Sequence, residues 1–244
     1  MVRLMSVTGA GTFEVPGSVL ADTVLERLTA TYAAAADPRR AAAAQAYVKD
    51  VAPFLGIPTP ARRALSRTVL AGTPHPDEAD CTAVALRCWR LPEREYHYFA
   101  VDYLRRHVGR CSSGFLPVAR QLITTVSWWD TVDALAAHVV GALVAADPKL
   151  TADMDAWIVD ENLWVARTAL LHQLRYKERT DAERLFTYCL RQSGHTDFFI
   201  RKAIGWCLRE YAKTDPEAVR SFLARERGRF APLSVREALK NIGA

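Results

Sequence analysis

"SWWDTVDALAAHVVGALVAA", Ser127–Ala146, is the stretch whose reading decides the fold. At 3.6 residues per turn, Trp128, Val132, Leu135, Ala136, Val139, Val140 and Leu143 fall on one stripe, which marks a helix with one buried face. Trp129 lies about 100° around the axis from Trp128, off that stripe. Asp133 follows Trp129 by four residues, so the two share a face one turn apart. An indole and a carboxylate therefore stand together beside a core face. Two readings are open: an interface tryptophan with an acidic first turn, or a functional pair.

Similar helix signals run along the rest of the chain. Asp37-Pro38, Asp147-Pro148 and Asp215-Pro216 each read as an N-cap aspartate followed by proline in the first turn, where the missing N–H costs nothing. "LPERE" from Leu91 and "HPDEAD" from His75 have a similar form, and Thr180–Glu183 and Ser234–Glu237 match a capping box. Alternating strand patterns with hairpin turns are nearly absent. These signals predict an all-α protein: about a dozen helices stacked as antiparallel pairs in a HEAT-like α-solenoid, with a concave basic face suited to a long partner. Residues 1–18 are expected to form a flexible leader and residues 19–244 a single domain.

The composition narrows the partner classes. Lys and Arg number 32 against 27 Asp and Glu, a net charge of +5, compatible with a polyanion. Most of the cations are arginine, whose planar fork suits phosphate. Five cysteines without a CxxC pair fit reduced thiols and a cytoplasmic location. No apolar run is expected to reach the ~18 residues of a membrane span. The six histidines show no HExxH spacing and no second ligand set, so neither a metal nor a cofactor is expected. The chain is expected to act as a monomer.

Two further stretches draw attention. In "FFIRKAIGWCLREYAK", Phe198–Lys213, the apolar stripe is Ile200, Ala203, Ile204, Cys207, Leu208 and Tyr211. Trp206 lies off it, with Phe199, Lys202, Arg209 and Lys213 at helical spacing. Either cation–π contact holds a surface indole there, or the indole is a stacking platform flanked by phosphate contacts. In "ENLWVARTALLHQLRYKER", Glu161–Arg179, Arg167 sits at the margin of a core face, and Arg175, Lys177 and Arg179 form a cationic cluster.

Taken together, "FLGIPTPARR", "LPEREY", "SWWDTVD", "LWVARTALLHQLRYK", "FFIRKAIGWCLREYAKTDPEAV" and "LSVREALKNI" resemble the AlkD-like DNA glycosylases, from about Tyr47 to Ile242. The resemblance implies a HEAT-like α-solenoid that excises alkylated bases from duplex DNA. It assigns Trp129, Asp133 and Trp206 as the catalytic trio, Arg167 as a phosphate contact and Tyr47 as a clamp near the lesion. Lys202, Arg209, Lys213 and Arg175 are expected as further DNA contacts. The resemblance also implies that the lesion is recognised through backbone and sugar while the base stays in the stack, a mode that admits bulky adducts.

The chemistry needs few groups. An N3- or N7-alkylated purine is already cationic and leaves readily, and the deoxyribose becomes oxocarbenium-like as the bond breaks. A carboxylate and two indole faces stabilise that charge. The competing readings are a non-catalytic HEAT-type module that binds DNA or protein, and a self-resistance glycosylase dedicated to a DNA-alkylating natural product.

Overall fold

The computed structural model describes residues 14–241. Among these the regular elements are helical, with no strand. The α-helices are α1 (Val19–Ala34), α2 (Pro38–Tyr47), α3 (Thr59–Val69), α4 (Glu78–Arg90), α5 (Arg94–His107), α6 (Leu116–Thr124), α7 (Trp129–Leu135), α8 (Gly141–Ala146), α9 (Thr151–Trp157), α10 (Leu163–Leu171), α11 (Ala182–Arg191), α12 (Phe198–Tyr211), α13 (Pro216–Glu226) and α14 (Pro232–Ala238). A π-turn, Ala136–Val140, joins α7 to α8 without a break. Packing follows chain order. Helix α1 lies on α3 and α4, α4 on α5, α5 on α7, α7 on α10, α10 on α11 and α12, and α12 on α14. Contact between near neighbours in sequence is the quasi-one-dimensional arrangement of an α-solenoid, as the capped segments predict.

Local chemistry explains most helix starts. Asp37 accepts from the N–H groups of Arg39 and Arg40, and Asp215 from that of Ala218. Asp147 starts only a 3-10 turn, Pro148–Leu150. Asp77 and Asp80 form a reciprocal capping box. The boxes expected at Thr180 and Ser234 do not form. Asp181 caps α11 instead, and Ser234 lies inside α14, which Pro232 has already begun. Of the expected leader, residues 1–13 lie outside the described residues. Its last part is docked: Val15 packs on the core, and Ser18 caps α1 and donates to Asp80 at 2.6 Å.

The core includes most of the predicted stripe of the central helix. Ala21, Val24, Leu28 and Tyr32 of α1 are fully buried, as are Val132, Leu135, Ala136, Val139 and Val140 around the π-turn. One expectation needs correction. Trp129–Ala146 is long and apolar enough, by length and composition, to cross a membrane, with a mean hydropathy of 1.3. It is the central core helix, and both of its carboxylates are ion-paired.

The "LPEREY" motif ties the N-terminal layers to that helix. Buried Glu95 accepts from three successive backbone N–H groups, those of Leu55, Gly56 and Ile57, and so fixes the "FLGIP" loop. Arg94, fully buried, reaches the other way. Its guanidinium donates to both carboxylate oxygens of Asp130 at 3.1 and 2.5 Å, to Val126 O at 2.8 Å and to Thr131 Oγ1 at 3.0 Å. Tyr98 also donates to Asp130 at 2.5 Å. Val126 has φ of 49°, a costly conformation for a β-branched residue, and Arg94 holds its carbonyl.

Two glycines permit close helix approach. A Cβ on Gly141 would lie 2.2 Å from His172 O at the end of α10. A Cβ on Gly205 of α12 would lie 2.4 Å from Glu237 Cβ and 2.7 Å from Ser234 O of α14. Gly205→Ala should therefore overpack the α12–α14 crossing. We expect a loss of about 1–3 kcal/mol in urea unfolding, with a Tm lower by several degrees; an unchanged midpoint would mean that α14 does not seat here.

Candidate active site

The two tryptophans of "SWWD" separate at the start of α7. Trp128 is the N-cap residue in extended conformation and turns inward. Its ring packs against Trp164 of α10 at 5.8 Å and Phe199 of α12 at 5.0 Å between centroids. Its Nε1 is buried without a hydrogen-bond partner. Trp129, the first residue of α7, turns to an open-sided cleft and meets Tyr47, the last residue of α2, edge to face at 6.2 Å. Tyr47 is 70% exposed and stands free above the indole.

Trp129, Asp133, Trp206 and Arg175 line that cleft, which has a volume of about 380 Å³. The cleft brings together residues from three places in the sequence: α7, the segment after α10, and α12. Three more polar wall residues escaped sequence reading: Asp130, His138 and Glu210. Glu210 follows Trp206 by four residues, so helical spacing alone would have found it. His138 had no such signal, because position i+5 of a regular α-helix lies about 140° around the axis from i. The wider i→i+5 turn at Ala136–Val140 brings it onto the cleft side with Asp133.

Arg167 differs from expectation. It is 3% exposed and sits behind Asp133. Its Nε and Nη2 donate to the two oxygens of Asp133, both at 2.7 Å, and its Nη1 donates to Phe199 O. The guanidinium also lies 5.9 Å from the Phe199 ring. It is a carboxylate holder with little surface to offer a phosphate. Burial pushes the Asp133 carboxyl up from the ordinary carboxylate range, against the pull of Arg167. Each oxygen accepts one bond from Arg167, so each retains acceptor capacity.

The other expected phosphate contacts are also engaged. Lys202 and Arg209 converge on buried Glu237 at 2.8 and 3.0 Å, joined by Lys240 at 2.6 Å. Burial alone would raise this carboxyl, but the bonds from Lys202 and Lys240 outweigh it and bring it down to about 2. Lys213 pairs with Glu210 at 2.6 Å. Arg175 is exposed and, among the described residues, has no ion-pair partner. The basic face is thus largely paired with carboxylates. Among the described residues no group of three or more His, Cys, Asp or Glu is placed to hold a metal ion.

A family profile described as "DNA alkylation repair enzyme" matches residues 28–242. The chain is similar to a solved structure titled "Predicted DNA alkylation repair enzyme from Enterococcus faecalis", with 32% identity and a TM-score of 0.78 over 85% of this chain and 96% of that one. No match was found among curated proteins. With a family match over most of its length and a like-sized structural relative, the chain belongs to the DNA alkylation repair enzyme family and serves the repair of alkylated DNA.

Proposed function

We propose that the protein is a DNA glycosylase that hydrolyses the N-glycosidic bond of cationic N3- and N7-alkylated purines in duplex DNA. The observation that carries this reading is a single open cleft containing the Asp133 carboxylate and the Trp129 and Trp206 indoles, with Tyr47 against Trp129. A binding module has no need of a carboxylate set beside two indoles in one open cleft.

The reaction follows from the charges. The C1′–N bond breaks and its electron pair goes to the purine, which was cationic and departs neutral. No general acid is required for that departure. Positive charge moves to the deoxyribose, where Asp133 and the indole faces lower its energy. Water then adds to C1′ and releases one proton, with Asp133 within reach of the nucleophile as orienter or acceptor. Arg167 fixes the carboxylate in place and so supplies preorganisation rather than contact with DNA. An open cleft suits a base left in the stack and leaves room for a bulky adduct. Tyr47, Lys202, Arg209, Lys213 and Arg175 contact the DNA in this reading, with the paired cations exchanging carboxylate for phosphate.

The deciding experiment is a release assay on duplexes alkylated with a methylating agent or with a bulky alkylator, scored for the free base. Release of neither would leave the binding-module reading. Asp133→Asn should slow single-turnover release of N7-methylguanine on the order of 10²–10³, with DNA affinity retained or raised. Retained affinity also reports that the variant folds, which matters because Arg167 is left without its counter-charge. Asp130→Asn should act differently. It breaks the buried Arg94 pair and should cost about 3–5 kcal/mol of stability, while residual folded enzyme still turns over.

The pH dependence has a definite sign. Release needs the ionised carboxylate, and that group titrates above the ordinary value. The rate should therefore fall on acidification already above about pH 4. A carboxyl with a raised value favours the fold when protonated, so the loss should occur at unchanged far-UV circular dichroism. A wild-type rate that stays flat down to ordinary carboxylate titration would contradict the assignment of Asp133.

A further inference from the structure

Most cations around the cleft are engaged by carboxylates: Arg167 with Asp133, Arg94 with Asp130, Lys213 with Glu210, and Lys202 and Arg209 with Glu237. One end of the cleft differs. His138, on the π-turn, lines the cleft beside Arg175 and has no hydrogen-bond partner among the described residues. Buried His97 and His172, by contrast, each bond a backbone carbonyl. Helix α5 packs on the π-turn and brings Arg105 within electrostatic reach of the same ring. Arg105 and Arg175 are both exposed, and neither forms an ion pair among the described residues. The nearby carboxylate, Asp102, is taken by Arg62 at 2.9 Å. Burial, then Arg105 and Arg175, push the imidazole down to about 4, so it stays neutral and offers one N–H. Uncompensated positive charge therefore gathers at this end, with Arg175 in the cleft wall and Arg105 on the adjoining α5, around a neutral donor set in the wall.

The geometry points to a phosphodiester subsite at this end of the cleft: His138 donates from the wall, Arg105 and Arg175 flank it, and together they seat one backbone phosphate of the strand whose sugar lies against Asp133. This rests on the glycosylase reading and adds to it the group that fixes the register of the strand. Seating a phosphate here would place the neighbouring sugar along the Trp129–Asp133 face without any grip on the base. His138 acts as a positioning residue.

The test is the salt dependence of binding to a short unmodified duplex, read by fluorescence anisotropy. Each phosphate neutralised contributes about 0.9 to the slope of log K against log salt. Two arginines on one phosphate should behave as a unit. The double variant Arg105→Ala/Arg175→Ala should flatten the slope by about 0.9, and each single variant by less. His138→Phe should weaken binding at an unchanged slope, because the ring is neutral, and His138→Gln should recover affinity by restoring a donor. Arg106→Ala, an exposed arginine next to Arg105, is the control and should leave the slope as in the wild type. A double variant indistinguishable from Arg106→Ala, or one that loses about twice 0.9, would overturn the shared subsite. Wild-type release of alkylated bases would in either case leave the glycosylase reading standing. A wild type whose DNA binding is indifferent to salt would overturn the subsite, while the release assay decides the glycosylase reading separately.

Discussion

A fully buried guanidinium sets the geometry on which the rest depends. Arg94 leaves α5 and closes on Asp130 and on the carbonyl of Val126, a residue held in a conformation it would not choose. That fixes where α7 begins and its rotational phase. Once the phase is fixed, Trp128 must turn in to Trp164 and Phe199, Trp129 must turn out, and Asp133 must meet Arg167 one turn later. Two buried Arg–Asp pairs, one to α5 and one to α10, thus orient a helix that hydrophobic contact alone would leave free to rotate. Such pairs add little net stability, because desolvation offsets most of the attraction, yet losing one partner is expensive. Their contribution here is orientation.

The electrostatics of the cleft follow from the same habit of pairing. A chain with a net charge of +5 suggests a bare basic surface. Around the cleft most of that charge is already neutralised, and Glu237 alone gathers three cations. A polyanion approaching this face must compete with built-in carboxylates. Affinity then depends on the difference between two sets of salt bridges rather than on a count of lysines and arginines.

Much of this was legible in the sequence. The helices were marked by their Asp-Pro starts, the core by the Trp128–Leu143 stripe, and the cleft pair by the four-residue step from Trp129 to Asp133. Motif resemblance then joined Trp206 and Tyr47 to that pair, a link that no local pattern contains. The pairing of the charged residues was not legible, for a physical reason. Helical spacing shows which face Arg167 or Lys202 occupies, but not whether a carboxylate from another layer is waiting there. Asp133 lies 34 residues from Arg167, and Glu237 lies 28 from Arg209. Capping boxes at Thr180 and Ser234 failed because stronger starts, Asp181 and Pro232, stood next to them.

The π-turn in the central helix has a consequence for how such a scaffold diversifies. On one side of it, α7 is bolted in rotation by Asp130 and Asp133; on the other, α8 is pressed against α10 at Gly141 with no room for even a methyl group. Neither end can turn. The widened turn between them takes up one surplus residue, much as an expansion joint takes up length between fixed piers. A change of residue there alters the wall of the cleft while leaving both anchors in register. The turn thereby leaves a position that can change without disturbing the anchored Asp133, and His138 occupies it in this chain.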